Sequence, residues 1–139
     1  MINSDSILIN IPLYLQHHMK DNTYGKYLIV APFDQKLGIV VTSVGSQTIN
    51  IGQEYPPREH PVSYIFSSAS GRVLDEFQLV YLISGKGMFE SRTLGRRVEV
   101  KAGDAMLLVP GEWHSYCPDE NTGWTEMRIG FKGAIPESW

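Results

Sequence analysis

From Leu37 to Phe131 glycine and proline interrupt the chain at intervals of roughly 8–12 residues, and the segments between them are apolar, β-branched and aromatic. That rhythm leaves no room for a helix of ordinary length. The runs are Gly38–Val44, Gln47–Ile51, Val62–Ser67, Arg72–Leu74, Gln78–Ser84, Met88–Arg92, Arg97–Lys101, Ala105–Val109, His114–Cys117 and Thr125–Phe131. Turn chemistry falls between them at Gly45-Ser46, Pro56-Pro57, Ser68–Gly71, Gly85–Gly87, Leu94–Arg96, Ala102–Asp104 and Pro118–Gly123. Short strands so spaced predict a mainly β fold, an antiparallel sandwich or barrel.

Two strands carry more information. Gln78–Ser84 sets Gln78, Val80 and Leu82 on one face and Leu79, Tyr81 and Ile83 on the other, so both faces should be covered, one by the interior and one by a second layer or a partner. Arg97–Lys101 alternates charge with valine, the pattern of an outer strand wet on one side. Ile83–Gly87 reads as a tight hairpin with Gly85 and Gly87 at positive φ. Residues 1–36 are mixed in character. Ile11–Met19 predicts a short helix with Pro12 in its first turn, followed by a turn at Asp21–Thr23 and a strand at Tyr27–Ala31. This N-terminal segment is expected to pack on a barrel spanning 37–133.

At 139 residues the chain is one domain, large enough to bury about 70% of its unfolded surface without staples. Lys and Arg number 12 against 15 Asp and Glu, a net charge of −3. Gripping nucleic acid takes cations that displace counterions from phosphates, so this chain is not built to do that alone. The single cysteine, Cys117, excludes an intrachain disulfide. The longest apolar stretches, Tyr27–Phe33 and Ala105–Pro110, fall far short of the roughly 20 residues of a spanning helix, so no membrane partner is expected. Asp5, Asn10 and Pro12 spoil a secretory leader, which makes the expected location cytoplasmic.

The stretch Gly71–Phe131 resembles a cupin, a small jelly-roll barrel with two motifs on facing strands. The first motif expects His-x-His, then Glu, then a glycine turn; here Arg72, Leu74 and Gln78 stand at those positions, ahead of Gly85 and Gly87. The second expects Gly-Asp, a strand, a Pro-Gly turn and a histidine; Gly103-Asp104, Pro110-Gly111 and His114 match it. A catalytic metal needs at least three fixed N or O ligands, and this chain keeps one of four. No metal, no cofactor and no catalytic residue are expected.

Within the cupins, Phe77–Ser91, Ala102–Tyr116 and Gly123–Gly133 are similar to the N-terminal effector-binding and dimerisation domain of AraC/XylS-type transcription regulators. The resemblance implies a sensor without enzyme activity that takes a small-molecule effector, a sugar or related polyol being the family's common choice, and that forms a homodimer. It also implies that DNA is bound only through a C-terminal helix-turn-helix domain beyond this chain, with 134–139 beginning the linker and Pro136 in a helix first turn.

The residues expected to meet the effector are Gln78, His114, Tyr116, Trp113, Arg72 and Tyr64. Each has a plainer reading. His114 either bonds a ligand or is a buried histidine satisfied by backbone. Gln78 and Arg72 cost roughly 1–3 kcal/mol each if buried unpaired, so they bond each other and the backbone or present donors to a ligand; Arg72 can also swing to the rim toward Asp75 or Glu76. Tyr64, Phe66, Trp113, Tyr116 and Trp124 either line a pocket suited to the C–H faces of a sugar or fill a small core. His17-His18 point about 100° apart on a helix and do not chelate together. Tyr55–Pro61 reads as a rigid loop, and neither Ser115 nor Cys117 has a nucleophile's setting. Two rivals remain: a stand-alone cupin isomerase, epimerase or dioxygenase, and a ligand-free dimerisation module with a filled barrel.

Overall fold

The computed structural model describes residues 23–56 and 70–138. Over these the strands are β1 (Thr23–Tyr27), β2 (Val40–Ile49), β3 (Arg72–Val73), β4 (Phe77–Ser91), β5 (Arg97–Lys101), β6 (Ala105–Leu108), β7 (Trp113–Pro118) and β8 (Trp124–Lys132). A 3-10 turn covers Asp34–Leu37 and a single helical turn, α1, covers Ala134–Glu137. The expected mainly β, antiparallel architecture is what forms, as a curled sheet that makes a half-barrel over the described residues, and no described helix is long and apolar enough to cross a membrane. The expected helix at Ile11–Met19, the strand at Val62–Ser67, His17-His18 and Tyr64 lie outside the described residues.

The organising element is β4, 15 residues long. Every pairing is antiparallel, in the order β1-β2-β8-β4-β7-β3, with β5 and β6 also on β4. The first half of β4 lies between β8 and β6, the second between β5 and β7. A register shift between Leu82 and Ser84 inverts the alternation. Before it Gln78, Val80 and Leu82 are buried; beyond it Gly87, Phe89 and Ser91 are. The bulge thus keeps one face of the strand turned inward as the chain passes from one wall to the other.

Of these, Val80, Leu82 and Phe89 join Ile49, Val100, Met106, Leu108, Tyr116 and Trp124 in one core. Full burial of an aliphatic side chain contributes about 1.5–3 kcal/mol, so Val80 and Leu82, both at 0% exposure, are among the strongest contributors. The alternation expected for Arg97–Lys101 holds, with Val98 and Val100 turned inward and the charged residues out. On the outer side of the other wall Leu79, Tyr81, Ile83 and Leu107 remain exposed among the described residues.

Three local expectations are corrected. Gly45-Ser46 is not a turn: β2 runs through it, because Gly45 supplies bare backbone under a side chain from β8 (below). Ile83–Gly87 is not a hairpin. Gly85 has φ 79 but sits in a continuous strand, and its missing Cβ lets Gly123 O approach to where that Cβ would be, at 2.1 Å. The first strand is Thr23–Tyr27 rather than Tyr27–Ala31. It registers on Ser43–Gln47, whereas the Asp34 carboxylate accepts from Ala31 N and bends the next residues away.

Candidate ligand-binding site

Along β8 the buried residues Trp124 and Glu126 alternate with outward Thr125 and Met127, and Arg128 follows on the same face. Across the sheet they register with Ile49, Gln47 and Gly45 on β2 and with Gly85, Leu82 and Val80 on β4. Two glycines make room for the large members of this row. A Cβ on Gly45 would lie 2.9 Å from Arg128 Nε, and one on Gly87 would lie 2.7 Å from the Trp124 ring. Arg128 therefore lies across β2 toward Gly25 of β1, and the indole packs against Gly87 of β4.

The opposite wall brings Arg72, His114 and Tyr116 together, through pairing of β3 with β7. Arg72 Nε donates to His114 Nε2 at 3.3 Å, and its Nη2 donates to the Tyr116 hydroxyl at 2.8 Å. A guanidinium only donates, so Nε2 is the acceptor and the ring proton is on Nδ1, which donates to Glu112 O at 3.2 Å. His114 is 1% exposed, with both nitrogens engaged inside the protein. Burial first, then the Arg72 charge, lower its pKa to about 4. Asp75 pairs with Lys132 at 3.2 Å, so Arg72 turns inward rather than to the rim.

Between the walls, Tyr55, Tyr116 and Trp124 form an aromatic cluster with ring centroids 6.4, 6.2 and 5.8 Å apart. Burial raises the pKa of both phenols, most for Tyr55, so they are neutral donors at ordinary pH. Beside them Glu126 is 0% exposed. Arg128 Nη1 stands 3.5 Å from its Oε1, an ion pair without hydrogen-bond geometry, and neither carboxylate oxygen has a hydrogen-bond partner. Burial pushes the Glu126 pKa up to about 7 against the opposing pull of Arg128 and then Arg72. Trp124 Nε1 and Gln78 Oε1 are also buried without a partner. Gln78 Nε2 reaches Glu76 at 3.4 Å, and Glu76 is held by the Thr42 hydroxyl at 2.6 Å.

These two shifts predict opposite pH slopes. The folded pKa of His114 lies below its ordinary 6.5, so its contribution is fully present above that pH and is lost as pH falls toward 4. The folded pKa of Glu126 lies above its ordinary 4.5, so its contribution is present below that pH and is lost as pH rises through about 7. Unfolding free energies of His114→Gln and Glu126→Gln, from urea titrations against the wild type, should therefore diverge in opposite directions between pH 4 and 7, each by about 3 kcal/mol. Parallel curves for all three would refute this account.

The structure brings Gln78, His114, Tyr116 and Arg72 to the interior and leaves Trp113 out of that group. Alternation along β7 puts Trp113 on the other face, where Nε1 donates to Ser70 O at 2.9 Å and the ring covers Gly71. Glu126 was not among the sequence candidates. Its signal was Trp124-x-Glu126-x-Arg128, which places two charges on the face of a tryptophan. No cluster of three His, Cys, Asp or Glu side chains suited to a metal occurs among the described residues. An open groove of about 580 Å³ lined by Lys26, Tyr27, Leu37 and Val40, with others around them, shares no residue with this interior cluster.

No curated protein sequence matches the chain. Among solved structures, YhaK from Escherichia coli superposes with a TM-score of 0.54 at 16% identity, covering 80% of this chain and 44% of that one, a likeness of fold alone. A predicted oxalate decarboxylase from Thermotoga maritima gives a TM-score of 0.48 at 18% identity, covering 78% of each chain. A cupin protein from Bacteroides fragilis gives 0.47 at 18% identity, covering 68% of this chain and 66% of that one. Residues 66–139, more than half of the sequence, match the AraC-like ligand binding domain. With a curled β half-barrel whose inner face carries buried polar atoms without hydrogen-bond partners, the chain belongs to the family of AraC-like ligand binding domains.

Proposed function

We propose that this barrel is the sensor of a bacterial AraC-type transcription regulator, taking a small sugar or related polyol between its walls without metal or catalysis. The observation that carries the reading is the pairing of an aromatic cluster, Tyr55, Tyr116 and Trp124, with buried polar atoms that lack hydrogen-bond partners, on Gln78, Trp124 and Glu126. Flat rings suit sugar C–H faces, and a hydroxyl both donates and accepts. Gln78, Arg72 and Tyr116 are the polar contacts of the proposed site. His114, with both nitrogens engaged, acts by holding Arg72. Tyr64 stands as a proposed contact, and Trp113 does so only if ligand entry turns its ring inward.

In the same reading the protein is cytoplasmic, forms a homodimer and meets DNA through a helix-turn-helix domain of its parent. Ligand binding changes DNA occupancy only if the ligand prefers one of two parent states. A thermal-shift screen of the chain against D-xylose, L-arabinose, D-galactose and myo-inositol tests it. A ligand at 100 times its Kd adds about 2.7 kcal/mol, which in a domain of this size raises Tm by several degrees. No shift with any of them would defeat the polyol reading and favour the filled, ligand-free module.

A further inference from the structure

We propose that Glu126 anchors the effector: its carboxylate takes hydrogen-bond donors of an uncharged hydroxylated ligand, while the Trp124 indole N–H donates to an oxygen of the same molecule. The inference rests on the barrel interior being the ligand site. Both Glu126 oxygens and Trp124 Nε1 are buried without a hydrogen-bond partner. Native proteins rarely leave such groups unpaired, since each orphan forfeits its bonds to water. The two side chains stand two residues apart on one face of β8, about 7 Å along the strand, within the span of one small ring.

Their chemistry selects the ligand. A carboxylate only accepts and an indole N–H only donates. A hydroxyl serves both, and neighbouring hydroxyls serve both carboxylate oxygens. An ammonium would leave the indole unanswered, and a carboxylate or phosphate would face Glu126 with like charge. The Trp124, Tyr55 and Tyr116 rings beside the pair supply the apolar wall such a molecule needs.

Uptake is consequently coupled to the charge on Glu126. The charged and titratable groups facing it are Arg128 on its own strand, Arg72 from β3, Tyr116 from β7 and Tyr55 from the segment after β2. Beside it β2 and β4 place Gln47 and Leu82, which do not titrate. The phenols titrate above neutrality and His114 is already neutral at pH 6, so among these groups only Glu126 changes charge between pH 6 and 8. A ligand that donates to the carboxylate binds its ionised form. With a pKa of about 7, affinity should rise roughly tenfold over that interval.

Isothermal calorimetry of the chain with D-xylose, D-galactose and myo-inositol at pH 6, 7 and 8 tests this, alongside Glu126→Gln and Trp124→Phe. The expected result is a probe whose Kd falls about tenfold from pH 6 to 8. Glu126→Gln should bind it at least tenfold more weakly at pH 8, with no pH dependence. Trp124→Phe should weaken it severalfold while keeping the slope. A probe that binds wild type and Glu126→Gln alike, with a flat profile, overturns the anchor and leaves the barrel site standing. Failure of every probe to bind the wild type overturns the polyol reading and the anchor with it. If Glu126→Gln does not fold, the wild-type pH series decides alone.

Discussion

Gly85→Ala should lose at least ~4 kcal/mol of stability and be largely unfolded at temperatures the wild type tolerates. The backbone there has φ 79, a conformation that costs an alanine about 1–2 kcal/mol. The larger part is steric. An alanine Cβ would meet Gly123 O at 2.1 Å and Trp124 Cα at 2.7 Å, both backbone atoms that cannot swing aside. Relief requires β4 and β8 to separate where Gly85 pairs with Trp124, and Gly85 O also receives Ala102 N at 2.9 Å. Gly95→Ala is the control. Its φ is 62 but nothing lies within 4 Å of the added Cβ, so only the conformational cost of about 1–2 kcal/mol applies. Urea midpoints of the two variants should differ clearly; equal midpoints would show that the close approach at Gly85 carries no weight.

Trp124→Ala should cost about 3–5 kcal/mol, the usual range for emptying a buried aromatic site. Trp124 is 2% exposed, and its ring is edge-on to Tyr55 at 76° and rests on Gly87. Because Gly87 has no side chain to move into the space, the void should persist rather than collapse. Trp124→Phe should be much milder, since Nε1 has no hydrogen bond to lose. Thermal denaturation followed by near-ultraviolet circular dichroism separates the two, and an alanine variant as stable as the phenylalanine one would contradict the packing described.

The sequence rhythm revealed the strands and their antiparallel class, and Arg97–Lys101 was legible to the residue because its alternation is unbroken. Glycines were read less well. In isolation a glycine marks a turn or a place where something else comes close, and the two look alike. Gly45 and Gly87 are of the second kind, and what approaches them is Arg128 and the Trp124 ring, tens of residues away. Local pattern has no access to such partners. Gln78, Arg72 and His114 were singled out because they stand at motif positions and Tyr116 because it is aromatic beside them, and all four turn to the same interior. Trp113 had a countersign in its own strand, where period 2 sets it opposite His114 and Tyr116. Glu126 is the converse case. Its face was written in the alternation with Trp124, but reading it required knowing that the tryptophan points in.

One strand shared by both walls also limits how descendants of this chain can vary in length. An added codon within Phe77–Ser91 would slip the alternation a second time, turning Val80 and Leu82 out or Phe89 and Ser91 out, with no neighbouring strand to absorb the error. Insertions have safe harbour only where the chain leaves the walls, as at Leu94–Arg96 or Asp119–Thr122. Natural variants should therefore differ in the size of their rim loops while β4 keeps a constant residue count.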